Sequence, residues 1–107
     1  LKNVLFSTNS YKLINDSLFE LDLLAEYIIK YNINILIEGH TDSIGNSNSN
    51  LLLSKNRAQS VYDYLVSKSV KNDQISFKGF GDKVPISTNN TELGRSLNRR
   101  TSFRVVD

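Results

Sequence analysis

No cysteine occurs in the 107 residues, so neither a disulfide framework nor a thiolate metal site can form. Histidine is nearly as scarce. The single His40 leaves a zinc site short, because such a site takes three or four protein ligands. An excess of one charge is also missing: the formal net charge is +2, too small by itself to point to nucleic acid or an anionic membrane surface. No apolar run is long enough for a membrane-spanning helix, and no signal peptide or lipidation motif is present. The chain opens directly on the strand-like "LKNVLF", so we expect an excised domain of a longer protein, its targeting sequence lying elsewhere.

What remains is ordinary for a soluble globular protein, with 39% hydrophobic and 22% charged residues. The length suits one domain, residues 1–107, with its own hydrophobic core. Arginine is unevenly placed: four of the five (Arg95, Arg99, Arg100, Arg104) fall in the last 13 residues, and the fifth is Arg57. Arginine suits planar, bidentate recognition of carboxylate or phosphate, whereas the eight scattered lysines read as solvated charge.

The residue pattern alternates strand and helix. "NVLF" (3–6) reads as a first strand, followed by a polar connection. Leu18, Leu21, Leu24, Ala25 and Ile28 then recur at helical spacing, and Ser17 with Glu20 matches a capping box that would start the helix near Ser17. "INILIEG" (33–39) alternates as a strand, with Gly39 ending it. A second helix fits from about Asn50 to Ser67, with Leu51, Ser54, Ala58, Val61 and Leu65 on one face. "QISFKGFG" is a third strand, "DKVPISTNN" a loop holding the single proline, "TELGRSLN" a short helix capped by Thr91, and "RTSFRVV" a last strand. The order β-α-β-α-β-(short α)-β predicts a two-layer α+β fold. Its expected core is a mixed four-stranded sheet with helices packed on one face.

The stretch "IEGHTDSIGNSNSNLLLSKNRA" holds the candidate functional residues. Asn50 and Arg57 lie seven apart, on nearly one line of the second helix and about 10 Å apart along its axis. Asp42 should lie just past the end of the second strand, where open α/β sheets tend to bind ligands. Two readings stay open on these residues. Asp42 could pair with Arg57 or bond its own loop, as aspartates in turns do. Alternatively, the two charges face a cleft and hold a zwitterion, Asp42 taking an ammonium and Arg57 a carboxylate. His40 reads as structural. The serines lack a nucleophile-elbow pattern, Glu38 and Asp42 are paired carboxylates only by default, and Gly79-Phe80-Gly81 lacks the further glycine and following helix of a nucleotide loop. Neither an enzyme nor a cofactor or metal is implied. Arg99 and Arg100 are neighbours on an extended segment and so should face different surroundings.

In order and spacing, "IEGHTDSIG", "N..LS..RA..VYDYL", "GFGDKVP" and "N.TELGRSLNRR" resemble the OmpA-like domain. This is the periplasmic peptidoglycan-associating module of outer-membrane proteins, Pal-type lipoproteins and flagellar stator subunits. The resemblance implies a non-catalytic clamp on the peptide stem of peptidoglycan, tethering an outer-membrane protein or lipoprotein of a Gram-negative cell to its wall. It also implies that Asp42 binds the ammonium of meso-diaminopimelate and Arg57 its carboxylate. Asn50 and Arg99 match positions that add hydrogen bonds, and Thr41, Leu53 and the loop at Asn9 would line the site. Ser7 follows Phe6 where the family usually has aspartate, and Thr101 stands where a β-branched hydrophobe is usual. Rival expectations are a stator-type anchoring domain, which often forms a homodimer, and a protein-interaction domain that kept the fold without the ligand.

Overall fold

Helix and strand alternate through residues 15–106, which the computed structural model describes. The elements are α1 (Asn15–Tyr31), β1 (Asn34–His40), α2 (Ser47–Ser67), β2 (Ile75–Gly81), α3 (Glu92–Asn98) and β3 (Thr101–Val106). The strand expected at 3–6 and the loop at Asn9 lie outside the described residues. Among the described residues the sheet has three strands in the order β2-β1-β3. β1 runs parallel to β2 through the α2 crossover and antiparallel to β3. The α+β class and the mixed sheet are therefore present, with three of the four expected strands.

Strand β1 is central, and its alternation explains the core. Ile35 and Ile37 meet Ile75 of β2, and all three pack with Leu21, Ala25 and Ile28 of α1 and Ala58, Val61 and Leu65 of α2. Both long helices thus contribute their apolar stripe to one core, as their three- and four-residue spacing predicts. Phe77 and Phe103 are half-buried against this cluster.

Helix α1 is described from Asn15, and Ser17 is buried within it. The start of the second helix differs from expectation. Helix α2 begins at Ser47 instead of near Asn50. Its cap is Asn46, whose side-chain oxygen accepts from the N–H groups of Asn48 at 2.9 Å and Ser49 at 3.1 Å. A first helical turn leaves its N–H groups without intrahelical partners, so polar residues serve there as well as apolar ones. Apolar periodicity cannot register such a turn. The short helix α3 starts as expected, with Thr91 Oγ1 accepting from Gly94 N at 3.0 Å.

Candidate ligand-binding site

The site begins with how closely α2 approaches the sheet. Gly39 of β1 and Gly79 of β2 are paired across the two strands. A Cβ on Gly39 would stand 2.2 Å from Ser54 O, and one on Gly79 would stand 2.4 Å from Lys55 N. Only glycine admits a helix backbone at that distance. Ser54, fully buried, completes the seat: its Oγ accepts from Gly81 N at 2.8 Å and donates to Leu51 O at 2.8 Å. Gly81 adopts φ +59, a left-handed conformation that ends β2, and its carbonyl accepts from Thr41 N at 2.8 Å. The ends of β1 and β2 and the first turns of α2 are therefore locked together.

Asp42 follows β1 in this locked corner, and its carboxylate is 13% exposed. Oδ1 accepts from Ile44 N at 3.0 Å, and Oδ2 accepts from Arg99 Nη1 at 2.7 Å. Asp42 thus bonds its own loop, one of the two arrangements left open by the residue pattern, and draws an ion pair from Arg99 at the far end of α3. Arg57 is half-buried, three residues past Ser54 on α2. Burial and the charge of Arg99 lower its pKa, and the charge of Asp42 raises it. The Asp42 carboxylate is therefore within electrostatic reach of two guanidiniums, not one.

The other expected site residues fall around this carboxylate in different roles. Asn50 Nδ2 donates to Ile44 O at 2.9 Å and to Asp42 O at 3.4 Å, so it shapes the 41–46 loop from α2. Thr41 is buried, and its hydroxyl donates to Asp42 O at 2.9 Å. Leu53 is half-buried beside Ser54 in the chain. Arg99 and Arg100 do separate, although Arg99 is the C-cap of α3 and β3 begins only at Thr101. Arg99 reaches Asp42 and Glu92, while Arg100 donates to Val84 O at 3.0 Å and Asn98 O at 3.4 Å.

Three residues with a clear part in this corner carry no signal in the residue pattern. Asn98 is fully buried: its oxygen accepts from Ile86 N and Ser87 N, and its Nδ2 donates to Ser87 O and Asn89 Oδ1. Asn89 in turn accepts from Ser43 N at 3.3 Å, which ties the 82–90 loop to the loop that holds Asp42. Glu92 accepts from Arg99 Nη2 at 2.5 Å. That bond lowers the pKa of Glu92 and is the largest cause raising the pKa of Arg99, followed by the bond to Asp42. A polar residue in a polar segment gives no periodicity, so none of the three could be singled out without the tertiary contacts.

His40 lies beneath the site, buried and stacked on Phe80 with ring centroids 5.1 Å apart. Burial, with the charge of Arg100 second, lowers its pKa to about 4, so it is neutral at pH 7. Among the described residues, no group of three or more His, Cys, Asp and Glu side chains comes together as a metal site would require. No helix among them is long and apolar enough to cross a membrane.

The sequence and the fold resemble those of known proteins. Residues 5–99 match the model of the OmpA family. The chain is 37% identical over 99 residues to the peptidoglycan-associated lipoprotein of Buchnera aphidicola subsp. Baizongia pistaciae, covering 92% of this chain and 57% of that protein. It is 33% identical over 105 residues to outer membrane porin F of Pseudomonas aeruginosa, covering 96% of this chain and 30% of the porin. The chain therefore spans less than two thirds of either relative. The crystal structure of the peptidoglycan-associated lipoprotein from Burkholderia pseudomallei superimposes with a TM-score of 0.90 at 29% identity, over 98% of this chain and 91% of that one. The C-terminal domain of Helicobacter pylori MotB gives 0.87 at 25% identity, over 97% and 82%. These relatives carry the names of wall-associated and outer-membrane proteins, and none of an enzyme. With nearly the whole length matched in sequence and in fold, the chain belongs to the OmpA family.

Proposed function

We propose that the chain is a single non-catalytic domain, residues 1–107, of a longer periplasmic protein. On this reading it binds peptidoglycan by clamping the free end of a meso-diaminopimelate stem residue, and so tethers an outer-membrane protein or lipoprotein to the wall. The observation that carries the reading is the Asp42 carboxylate, held at the sheet end by one bond to each oxygen and within reach of Arg57 and Arg99. An ionised carboxylate offers about four acceptor positions, so two remain for an ammonium. The free end of diaminopimelate carries that ammonium and a carboxylate on one carbon. Asp42 takes the first and Arg57 the second, each by charge-assisted hydrogen bonds. Asn50 and Thr41 keep the loop in place, Leu53 lines the site, and Arg99 shares the carboxylate. No cofactor is needed.

A lysine stem keeps the ammonium and lacks the carboxylate, leaving Arg57 without its ligand partner, and selectivity follows from that loss. A second reading, anchoring of a stator-type complex as a homodimer, is favoured by the likeness to the MotB domain. It uses the same clamp and differs in the sequence that flanks the domain.

The test is an NMR titration with a diaminopimelate stem peptide and its lysine counterpart. Shifts should cluster at Asp42, Asn50, Arg57 and Arg99, with the diaminopimelate peptide preferred. Asp42→Ala and Arg57→Ala should each weaken binding by about tenfold or more, the worth of one charge-assisted hydrogen bond. A folded wild-type sample that shifts with neither peptide would remove the clamp and leave a protein-interaction domain.

A further inference from the structure

Glu92 has no part in the clamp as described, yet one guanidinium joins it to Asp42. Arg99 directs Nη1 to Asp42 Oδ2 at 2.7 Å and Nη2 to Glu92 Oε1 at 2.5 Å. One helix supplies both partners of the outer bond: Glu92 is the first residue of α3, and Arg99 is its C-cap. Arg95 lies farther from Glu92, at 3.6 Å, and donates Nη1 to Asn89 O. Asp42 therefore sits at the inner end of a carboxylate–guanidinium–carboxylate chain that runs outward to solvent.

The charges around the clamp make this chain matter. Arg57 and Arg99 both act on Asp42, whereas Arg95 pairs with Glu92 at 3.6 Å. Without Glu92, a single carboxylate would face two guanidiniums, a setting that favours a plain anion and repels an ammonium. With Glu92 bonded to its outer edge, Arg99 shares its charge between two carboxylates, and Asp42 keeps more of its negative potential for the ligand. The residue also suits its place, because a helix N-terminus favours a carboxylate.

We propose that Glu92 is a specificity-determining residue of the clamp. By holding the outer edge of Arg99, it keeps Asp42 able to take an ammonium, so the site selects a zwitterionic amino-acid centre over a carboxylate alone. This inference rests on the proposed function and concerns how the same cleft discriminates.

The experiment compares two stem peptides by NMR titration. One carries meso-diaminopimelate, and the other carries 2-aminopimelate, which keeps the distal carboxylate and replaces the distal amino group by hydrogen. Glu92→Gln keeps the size of the side chain and its acceptor oxygen, and removes the charge. Its affinity for the diaminopimelate peptide should fall about two- to fivefold, while that for the aminopimelate peptide holds or rises. Glu92→Lys should shift the ratio further in the same direction. A purely structural role for Glu92 would weaken both peptides by one factor, and an unchanged ratio in both variants would overturn the inference while leaving the clamp intact. A wild-type chain that binds neither peptide would overturn the clamp and this inference with it.

Discussion

Ile35, Ile37 and Gly39 alternate along β1 with Leu36, Glu38 and His40, so one strand presents two unlike faces. On the first, the isoleucines pack with α1 and α2, and Gly39 lets the α2 backbone come down onto the strand. On the second, Glu38 and His40 are buried almost as deeply, at 6% and 5% exposure, although both can carry charge. The first face is closed by shape and the second by chemistry. Glu38 stays in place through Arg104 of β3, whose Nη2 donates to Oε2 at 2.9 Å from a position diagonal to it in the strand register. His40 has no such partner: its Nδ1 is the buried side-chain atom without a hydrogen bond among the described residues. It escapes the cost of a buried charge by staying neutral, with Phe80 against its ring. An apolar face tolerates no added atom, whereas a polar face tolerates charge only where a partner reaches it.

The sharpest break of this comparison is Gly39→Ala. The new Cβ would meet a helix carbonyl at 2.2 Å, and backbone cannot swing aside as a side chain can. A loss of about 3 kcal/mol or more is expected, read as a lower urea midpoint, and Asp42 and Arg57 would shift apart with α2.

Acid should act on the other face. The pKa of His40 falls from 6.5 to about 4 on folding, so between these values the unfolded chain binds the proton and the folded chain does not. Stability is then full above pH 6.5 and declines as pH falls toward 4, by at most about 3 kcal/mol from this group. Urea melts at pH 7 and pH 4.5 measure the loss, and a His40→Gln variant that is stable at pH 7 should lose less between the two. Equal losses in both chains would assign the decline to other groups.

Arg104→Ala tests the partnered carboxylate and should have the smallest effect. The Arg104 side chain is 64% exposed, so solvent screens the pair, and about 1 kcal/mol is expected. Glu38 would be left buried without its cation, and that is where the loss comes from. A variant as stable as wild type would show that water serves Glu38 as well as Arg104 does.

Much of this was legible in the residues, for local reasons. The stripe of α1, the alternation of β1, the Thr91 cap of α3 and the strand at 75–81 all follow from spacing and capping chemistry between near neighbours. Helix α2 was legible except for its first turn, where a polar cap replaces apolar spacing. Asp42, Asn50, Arg57 and Arg99 stood out as a set, but their mutual arrangement did not. Helical geometry left Asp42 either bonding its own loop or Arg57, or facing Arg57 across a cleft, and gave no sign of the bond to Arg99, 57 residues further on. Gly39 looked like a strand end, and together with Gly79 it is the seat on which α2 rests.

The residue order by itself therefore determined the elements, the stripes that face the core and the family motifs, because each is a pattern of period, cap or spacing along the chain. Only the tertiary structure decided which arginine reaches Asp42, that Glu92 stands behind that arginine, and that His40 and Glu38 share a buried face with different fates. Those outcomes depend on which side chains meet across strands and helix ends, and on how much water stays between them. Neither quantity is a property of any short stretch of sequence.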